Sequence, residues 1–522
     1  LALLPKWLGN VLEFGQNQES SVVSQALRVT VVRLCGHRCA CETNQRFGPG
    51  FGPRRGYVVR SYCFDCAIPS LLCRTMSKSG RAGLRAVARP FSMAMVECHD
   101  KAEVQMRFSG LKVLAEGLTG NKGWGPHWRS PEPKAEYDII LIGGGGHGLA
   151  TAHYLAKVHG LTNIAVLEKG YLGGGNVGRN TTIVRANYTL PGNSEFYSHS
   201  LKLWEGLEED LNYNVMHSQR GIINLVHSDG QRDAFVRRGN MMIGQGDDAE
   251  MLDTAGVRKL LPMIDFDQTR FPVFGGLYHR RGGTARHDAV AWGFARSASD
   301  RGVDLIQQCE VTGIDVENGV VKGVQTTRGP IRAKKVGMVA AGRSSQVAAM
   351  AGLRLPIESH VLQAFVTEGL KPCLDHVVTY GMGHFYISQS DKGGLVFGGD
   401  LDMYSSYAAR GNLPLVEHVA EAAMTLMPQI GKARMLRSWG GIMDMSPDGS
   451  FIMDRTDIDG LFVNTGWCYG GFKATPASGH TFAHLLATGT PHPTTVRHRL
   501  DRFRTGAGIM DEESTGSQHN LH

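Results

Sequence analysis

Residues 137–168 read YDIILIGGGGHGLATAHYLAKVHGLTNIAVLE. The apolar run from Asp138 to Ile142 predicts a strand, the pattern from about 147 to 159 a helix, and 163–168 a second strand. Between the first strand and the helix lies Gly143-x-Gly145-x-x-Gly148. Gly143 permits a tight turn, Gly145 lets backbone approach a pyrophosphate, and Gly148 lets the helix pack closely on the strands. The helix start then offers unpaired N–H groups and a partial positive charge to phosphate. Glu168 closes the second strand, where a carboxylate can accept hydrogen bonds from a ribose diol. An acidic residue there favours an unphosphorylated adenosine ribose, as in NAD or FAD. A glycine turn alone could be a plain tight turn, but strand, helix and Glu168 together point to a dinucleotide.

Two further stretches separate FAD from NAD. Residues 173–188 read GGGNVGRNTTIVRANY, and residues 464–473 read NTGWCYGGFK. Both let backbone lie close to an extended cofactor, and they fall at opposite ends of one domain, which suits FAD better. The candidate FAD-binding residues are Gly143, Gly145, Gly146, His147, Gly148, Glu168, Asn176, Arg179, Asn180, Thr181, Val311, Gly466, Gly470, Gly471, Phe472 and Lys473.

Composition bounds the rest. The 522 residues are long enough for two or more cores, and 42% hydrophobic with 20% charged is ordinary for a globular chain. No apolar run approaches the roughly 20 residues that span a bilayer, so no transmembrane helix and no membrane partner are expected. The net charge of +7 is uneven. Residues 1–90 hold two Lys and eleven Arg against three Glu and one Asp, a net of +9, which leaves −2 for the other 432. A near-neutral body offers no broad surface for phosphate backbones, so no nucleic-acid partner is expected.

Seven cysteines fall in the first hundred residues and three, Cys309, Cys373 and Cys468, afterwards. The three scattered thiols point to a reducing compartment, hence the cytoplasm. A zinc site pairing Cys63 and Cys66 with Cys39 and Cys41 is the sharp reading of the first set, but the spacing matches no zinc module, and no metal is expected in the body. The chain opens on Leu1 and offers later initiators at Met76, Met93, Met95 and Met106. Residues 1–105 are therefore expected to be non-native or poorly ordered, with an organellar transit peptide ranked below.

Residues 106–136 read as an arm. An α/β fold is expected, with a Rossmann-like FAD-binding domain of the glutathione-reductase type (137–217, 285–355 and 436–500) interleaved with a β-rich substrate or interface domain (218–284 and 356–435), and 501–522 as a tail. Helices are expected over Asp288–Ala298, with Asp288 as N-cap and Gly302 as stop, over 415–427, and over Thr481–Ala487.

The chain resembles the beta subunits of heterotetrameric sarcosine oxidase, among the D-amino-acid-oxidase-like flavoproteins, over about residues 106–510. The motifs are GGGGHGLATAHYLAK, VLEKGYLGGGNVGRNTTIVRANY, SLKLWEGL, SQRGIINLVHS, RRGGTARHDAVAWGFAR, RSWGGIMDMSPDG and GGFKATPASGH. The resemblance implies non-covalent FAD that takes a hydride from sarcosine, giving an imine that hydrolyses to glycine and formaldehyde, with electrons passing to FMN and then to oxygen as peroxide. It implies FMN bonded covalently to His287, beside Arg286, which could hold flavin phosphate and lower the imidazole's proton affinity. It assigns the substrate carboxylate to Arg185 and Lys473, a planar fork and a point charge, with direct aid to a flavin as the alternative role for Lys473. It also implies alpha, gamma and delta subunits as partners, supplying half of the FMN site, NAD and zinc sites, and a tetrahydrofolate site that captures the one-carbon unit as methylene-tetrahydrofolate.

Single-subunit sarcosine oxidases carry a cysteine that bonds FAD where this chain has Gly441, which leaves no thiol for such a link. Cys468 is read as packing. Rival readings are an amine or imino-acid dehydrogenase acting on dimethylglycine, a D-amino acid or proline, and a non-catalytic assembly subunit. His-Glu-x-x-His, Gly-Lys-Ser/Thr phosphate loops and Gly-x-Ser-x-Gly are absent from the sequence, so hydrolase and NTPase chemistry has no support.

Overall fold

The computed structural model describes residues 109–267, 270–402 and 404–507. The expectations for residues 1–105, including the cysteine grouping, lie outside the described residues, as does most of the tail.

The opening motif folds as read. Strand Glu136–Ile142 runs into helix Gly146–His159 and then strand Ile164–Leu167, and the two strands pair in parallel. They are central in a sheet ordered Ile452–Arg455, Leu461–Thr465, Ile331–Met338, Glu136–Ile142, Ile164–Leu167, Asp304–Ile306. All neighbours on this path are parallel except the outer pair Ile452–Arg455 and Leu461–Thr465. An antiparallel ribbon, Val311–Glu317 with Val320–Thr326, joins strand Ile331–Met338. The central strands are buried on both faces, as a parallel sheet covered on two sides requires. One core gathers helix Gly146–His159 with helices Asn193–Leu211, His287–Asp300 and Thr475–Thr488; the ribbon contributes to the second core.

The second sheet is ordered Met435–Met445, Glu358–Gly369, Gly394–Leu401, Phe385–Gln389, Val377–Tyr380, Ile222–Val226, Gly275–His279, Glu250–Asp253. Its core includes residues of helix Leu413–Leu426, capped by the Asn412 side chain. Strand Met435–Met445 pairs with Glu358–Gly369 from Met445 back to Met435. A boundary at 436 therefore cuts through a strand of the second sheet, and the chain returns to the first sheet only at Ile452.

Local expectations differ from the structure in instructive ways. Asp288 is not the N-cap: the helix begins at His287, and Asp288 sits in its first turn, accepting from the Ala289 N–H at 2.8 Å. The last long helix begins at Thr475, six residues before the expected start, because Pro476 fits the first turn, where no intrahelical N–H is needed. Within 218–284 a helix, Asp229–Gly244, occupies a stretch without a strong apolar period. The arm contains a short exposed helix, Gly110–Leu118, and Arg129 ties its far end to Asp304 at 3.3 Å.

Candidate active site

Gly143 has φ +121°, and a Cβ there would stand 2.3 Å from the Val339 carbonyl oxygen; a Cβ on Gly148 would stand 2.0 Å from the Gly143 oxygen. Both positions demand glycine, one for its backbone angle and one for contact. Gly145 differs, since a Cβ there meets nothing within 4 Å. It is the N-cap of helix Gly146–His159, no side chain caps that helix start, and Gly145 opens onto a cavity. An uncapped helix start on open space suits a phosphate.

Glu168 sits behind this turn. Its carboxylate accepts from the Gly144 N–H at 2.9 Å and the Gly170 N–H at 2.8 Å. Those bonds fix its orientation and leave further lone pairs for a diol.

The cavity encloses about 1350 Å³, counting its mouth, and takes walls from both sheets. Gly145, Gly146, His147, Asn176, Arg179, Asn180, Thr181, Arg185, Gly471, Phe472 and Lys473 all line it. Gly143, Gly148, Glu168 and Gly466 are not on its wall, and Gly470 lines a smaller adjoining cavity. Val311 lies in the core that holds the ribbon, outside both cavities.

His147 Nε2 lies 2.7 Å from the Gly471 carbonyl oxygen, and Nδ1 lies 2.9 Å from Ser478 Oγ. Burial pushes its pKa down to about 4. A neutral ring thus joins the first glycine turn to the C-terminal one. Asn176 uses its side-chain amide like a strand backbone: Nδ2 donates to the Ile442 oxygen and Oδ1 accepts from the Ile442 N–H at 3.0 Å. Trp439 Nε1 donates to the Arg179 oxygen at 2.7 Å, so the second glycine-rich segment is pinned along strand Met435–Met445.

Arg185 is buried; it donates to Asn187 Oδ1 at 2.7 Å and lies 4.8 Å over the Tyr188 ring. Asn187 passes the chain on to Asn224 and Thr379, which stand on the second sheet. Lys473 is buried too, and its Nζ donates to the Tyr469 oxygen at 2.8 Å. Burial, with the Arg185 charge in support, holds Lys473 well below the usual lysine value. The expected point charge is therefore disfavoured until an anion arrives to stabilise it.

Sequence reasoning missed several cavity residues. Asp444, inside the quoted SPDG-bearing motif, lines the cavity with its carboxyl pushed up to about 6 by burial. Its Oδ2 accepts from Thr465 Oγ1, the Gly466 N–H and the Trp467 N–H at 3.0, 2.7 and 3.2 Å, so it anchors the NTGW turn. Thr379 and Tyr386 come from second-sheet strands whose alternation carries no chemical mark. Cys468, read as packing, lines this cavity and the smaller one; burial holds its thiol up to about 12. Gly441 lines the cavity beside Asn176 and Arg179.

His287 and Arg286 are not part of this cavity. His287 opens its helix, half-buried, and burial lowers its pKa, with Arg286 adding to the effect and Asp288 opposing it. The Arg286 fork is taken up by Asp288, at 2.7 and 2.9 Å.

A family model described as FAD dependent oxidoreductase matches residues 138–485. The chain is 67% identical over 417 residues to the sarcosine oxidase subunit beta of Rhizobium meliloti (strain 1021), covering 80% of this chain and all of that one. It is 48% identical over 413 residues to the protein of that name from Rhodobacter capsulatus, covering 79% and 100%. Among solved structures, L-proline dehydrogenase from P. horikoshii matches with a TM-score of 0.67 and 26% identity, over 72% of this chain and 99% of that one.

Proposed function

We propose, since the chain belongs to the FAD-dependent oxidoreductase family and within it to the sarcosine oxidase beta subunits, that it oxidises sarcosine to glycine and formaldehyde, with oxygen reduced to hydrogen peroxide. The observation that carries this reading is the cavity that joins a dinucleotide-type glycine turn to the buried pair Arg185 and Lys473. FAD, when bound, supplies the two-electron acceptor. Gly145, Gly146 and the helix start would hold its phosphates, Glu168 its ribose, and Asn176 to Thr181 with Gly471 and Phe472 the remainder.

The chain's own residues orient the amino acid. Arg185, stiffened by Asn187 and Tyr188, offers a planar fork to the carboxylate, and Lys473 gains its proton as that anion binds. Such positioning removes several kcal/mol from a barrier. The apolar body of the cavity, including Ile183, Leu362 and Met443, excludes water around the N-methyl group.

FMN bonded to His287 is the finer part of the proposal. A half-buried imidazole kept neutral by its surroundings is a competent nucleophile, which supports the assignment. Arg286, occupied by Asp288, serves the imidazole more directly than a phosphate. The subunit designation of the relatives supports assembly with alpha, gamma and delta chains, which would complete the FMN site and carry the NAD, zinc and folate sites. Among the described residues no helix is long and apolar enough to cross a membrane, in keeping with a proposed cytoplasmic location.

Steady-state assays of the purified complex with sarcosine, dimethylglycine and proline under oxygen test the reaction; sarcosine without peroxide would sink it. Absorbance and intact mass after denaturation test the second flavin. Flavin retained by the wild-type chain and lost in His287→Ala is the expected result, and complete release from the wild type refutes the bond.

A further inference from the structure

We infer that Tyr197, Ser200 and Trp204 are positioning residues for the substrate carboxylate, one helix face that braces both Arg185 and Lys473. The inference rests on the reading of that pair as the carboxylate site. The three lie at spacings of three and four on helix Asn193–Leu211, which puts them on one side of it, and all three are buried. Ser200 and Trp204 belong to the segment SLKLWEGL, residues 200–207. Neither lines the flavin cavity or the smaller one beside it, so neither acts by touching the substrate.

On the lysine side the brace grips the backbone. Ser200 Oγ and Trp204 Nε1 donate to the Lys473 carbonyl oxygen at 2.7 and 2.8 Å. Two donors on one carbonyl use both of its lone pairs and set the plane of that peptide. The Trp204 ring also packs against Phe472, the residue before, with centroids 5.5 Å apart. Because Lys473 Nζ donates to the Tyr469 oxygen, the lysine is held at its root and at its tip.

On the arginine side the brace works through stacked rings. Tyr197 stacks on Tyr188 with centroids 3.6 Å apart and planes 12° apart, and the Arg185 guanidinium lies over the Tyr188 ring. A ring backed in this way has less freedom to tilt, and the cation over it less freedom to move. The Tyr197 hydroxyl also fills the space at Gly470, where any Cβ would collide with it. Tyr197 therefore meets the same 470–473 segment that Ser200 and Trp204 hold. One helix face thus fixes the separation of the two cations, and a carboxylate that must meet both at once reads that separation.

The probe is methoxyacetate, which keeps the carboxylate of sarcosine and has an ether oxygen in place of its amine. Its Kd is read from the change in flavin absorbance of the FAD-loaded complex. Ser200→Ala and Trp204→Phe each remove one donor and are expected to raise that Kd about 3- to 10-fold with FAD affinity unchanged. Tyr197→Leu is expected to raise it too, and Tyr197→Phe, which keeps the stack, to hold it near the original value. A Kd unmoved by the two donor variants overturns the brace. So does a matching loss of FAD affinity, because general loosening of the segment would also disturb Gly471 and Phe472 on the flavin cavity wall. Trp204→Phe retains an aromatic ring, so a misfolded Tyr197→Leu leaves the decision with the donor variants. Arg185→Met separates this failure from failure of the carboxylate reading. An unchanged Kd there removes the reading and the brace together, whereas a raised Kd there with none in the brace variants removes the brace alone.

Discussion

The Arg185 guanidinium and the Lys473 amine share one cavity wall, and the arginine's charge adds to burial in holding the lysine well below its usual pKa. A carboxylate placed between them reverses that balance. Binding of sarcosine is therefore expected to draw a proton from solution at pH values above the lowered Lys473 pKa. Calorimetry in two buffers of different ionisation enthalpy measures this, and a binding heat independent of buffer would rule it out. Affinity then falls as pH rises further, because the proton becomes harder to supply.

Replacing Lys473 separates function from stability. Lys473→Met is expected to abolish sarcosine turnover while raising the denaturation midpoint of the substrate-free protein at pH 7, because burial disfavours the charged form that the unfolded chain's lysine keeps at that pH, and the substitution removes this cost of folding. A lowered midpoint at saturating flavin would show that the Nζ–Tyr469 hydrogen bond outweighs desolvation.

Two glycines should behave oppositely. Gly479→Ala would place a Cβ 2.4 Å from the Ala150 Cβ and 2.6 Å from its carbonyl carbon, forcing helices Gly146–His159 and Thr475–Thr488 apart. A loss of about 1–3 kcal/mol or more is expected by denaturant titration. Gly145→Ala meets open space, so the flavin-free protein should keep its stability and lose FAD affinity. Equal stability losses in the two variants would contradict the assigned roles.

Arg502 and Asp448 form a buried bidentate pair, at 2.8 and 3.0 Å, that fastens the C-terminal segment to the SPDG turn. Arg502→Ala strands the carboxylate and is expected to cost about 3–5 kcal/mol. Replacing both partners with apolar residues should recover much of that loss; no recovery would mean that the Arg502 contacts with Ser450 and Arg499 carry the segment.

Acid should destabilise the fold in a defined window. His147, His480 and His492 have folded pKa values near 4 against about 6.5 unfolded. Between those values the unfolded chain binds more protons, so stability falls as pH drops from 6.5 to 4 and is fully present above 6.5. For His147 alone, half-buried on the cavity wall, the effect is at most on the order of 3 kcal/mol. His147→Gln should flatten this part of the stability curve, and an unchanged slope would place the effect in the other rings.

Much of the site was legible because its chemistry is local. Gly143, Gly145, Gly148 and Glu168 fall within one strand, turn, helix and strand, where φ, contact distance and spacing are set by neighbours in sequence. Asn176 and Arg179 stood out by their glycine context, although their partners, Ile442 and Trp439, lie some 260 positions away. Asp444 gave no such mark. Its importance comes from three donors brought to one oxygen by a turn twenty residues on. The misplaced boundary at 436 has the same origin, since strand order depends on pairing partners that periodicity does not name.

The sequence by itself determined the glycine turn, the acidic residue that closes the second strand and the family, because backbone sterics and short-range spacing fix the first two and many separate motifs fix the third. Only the tertiary structure decided that Lys473 is pressed toward neutrality and that Arg286 belongs to Asp288. Those properties depend on burial and on distances between charges, which exist only once helices and strands from remote parts of the chain have packed.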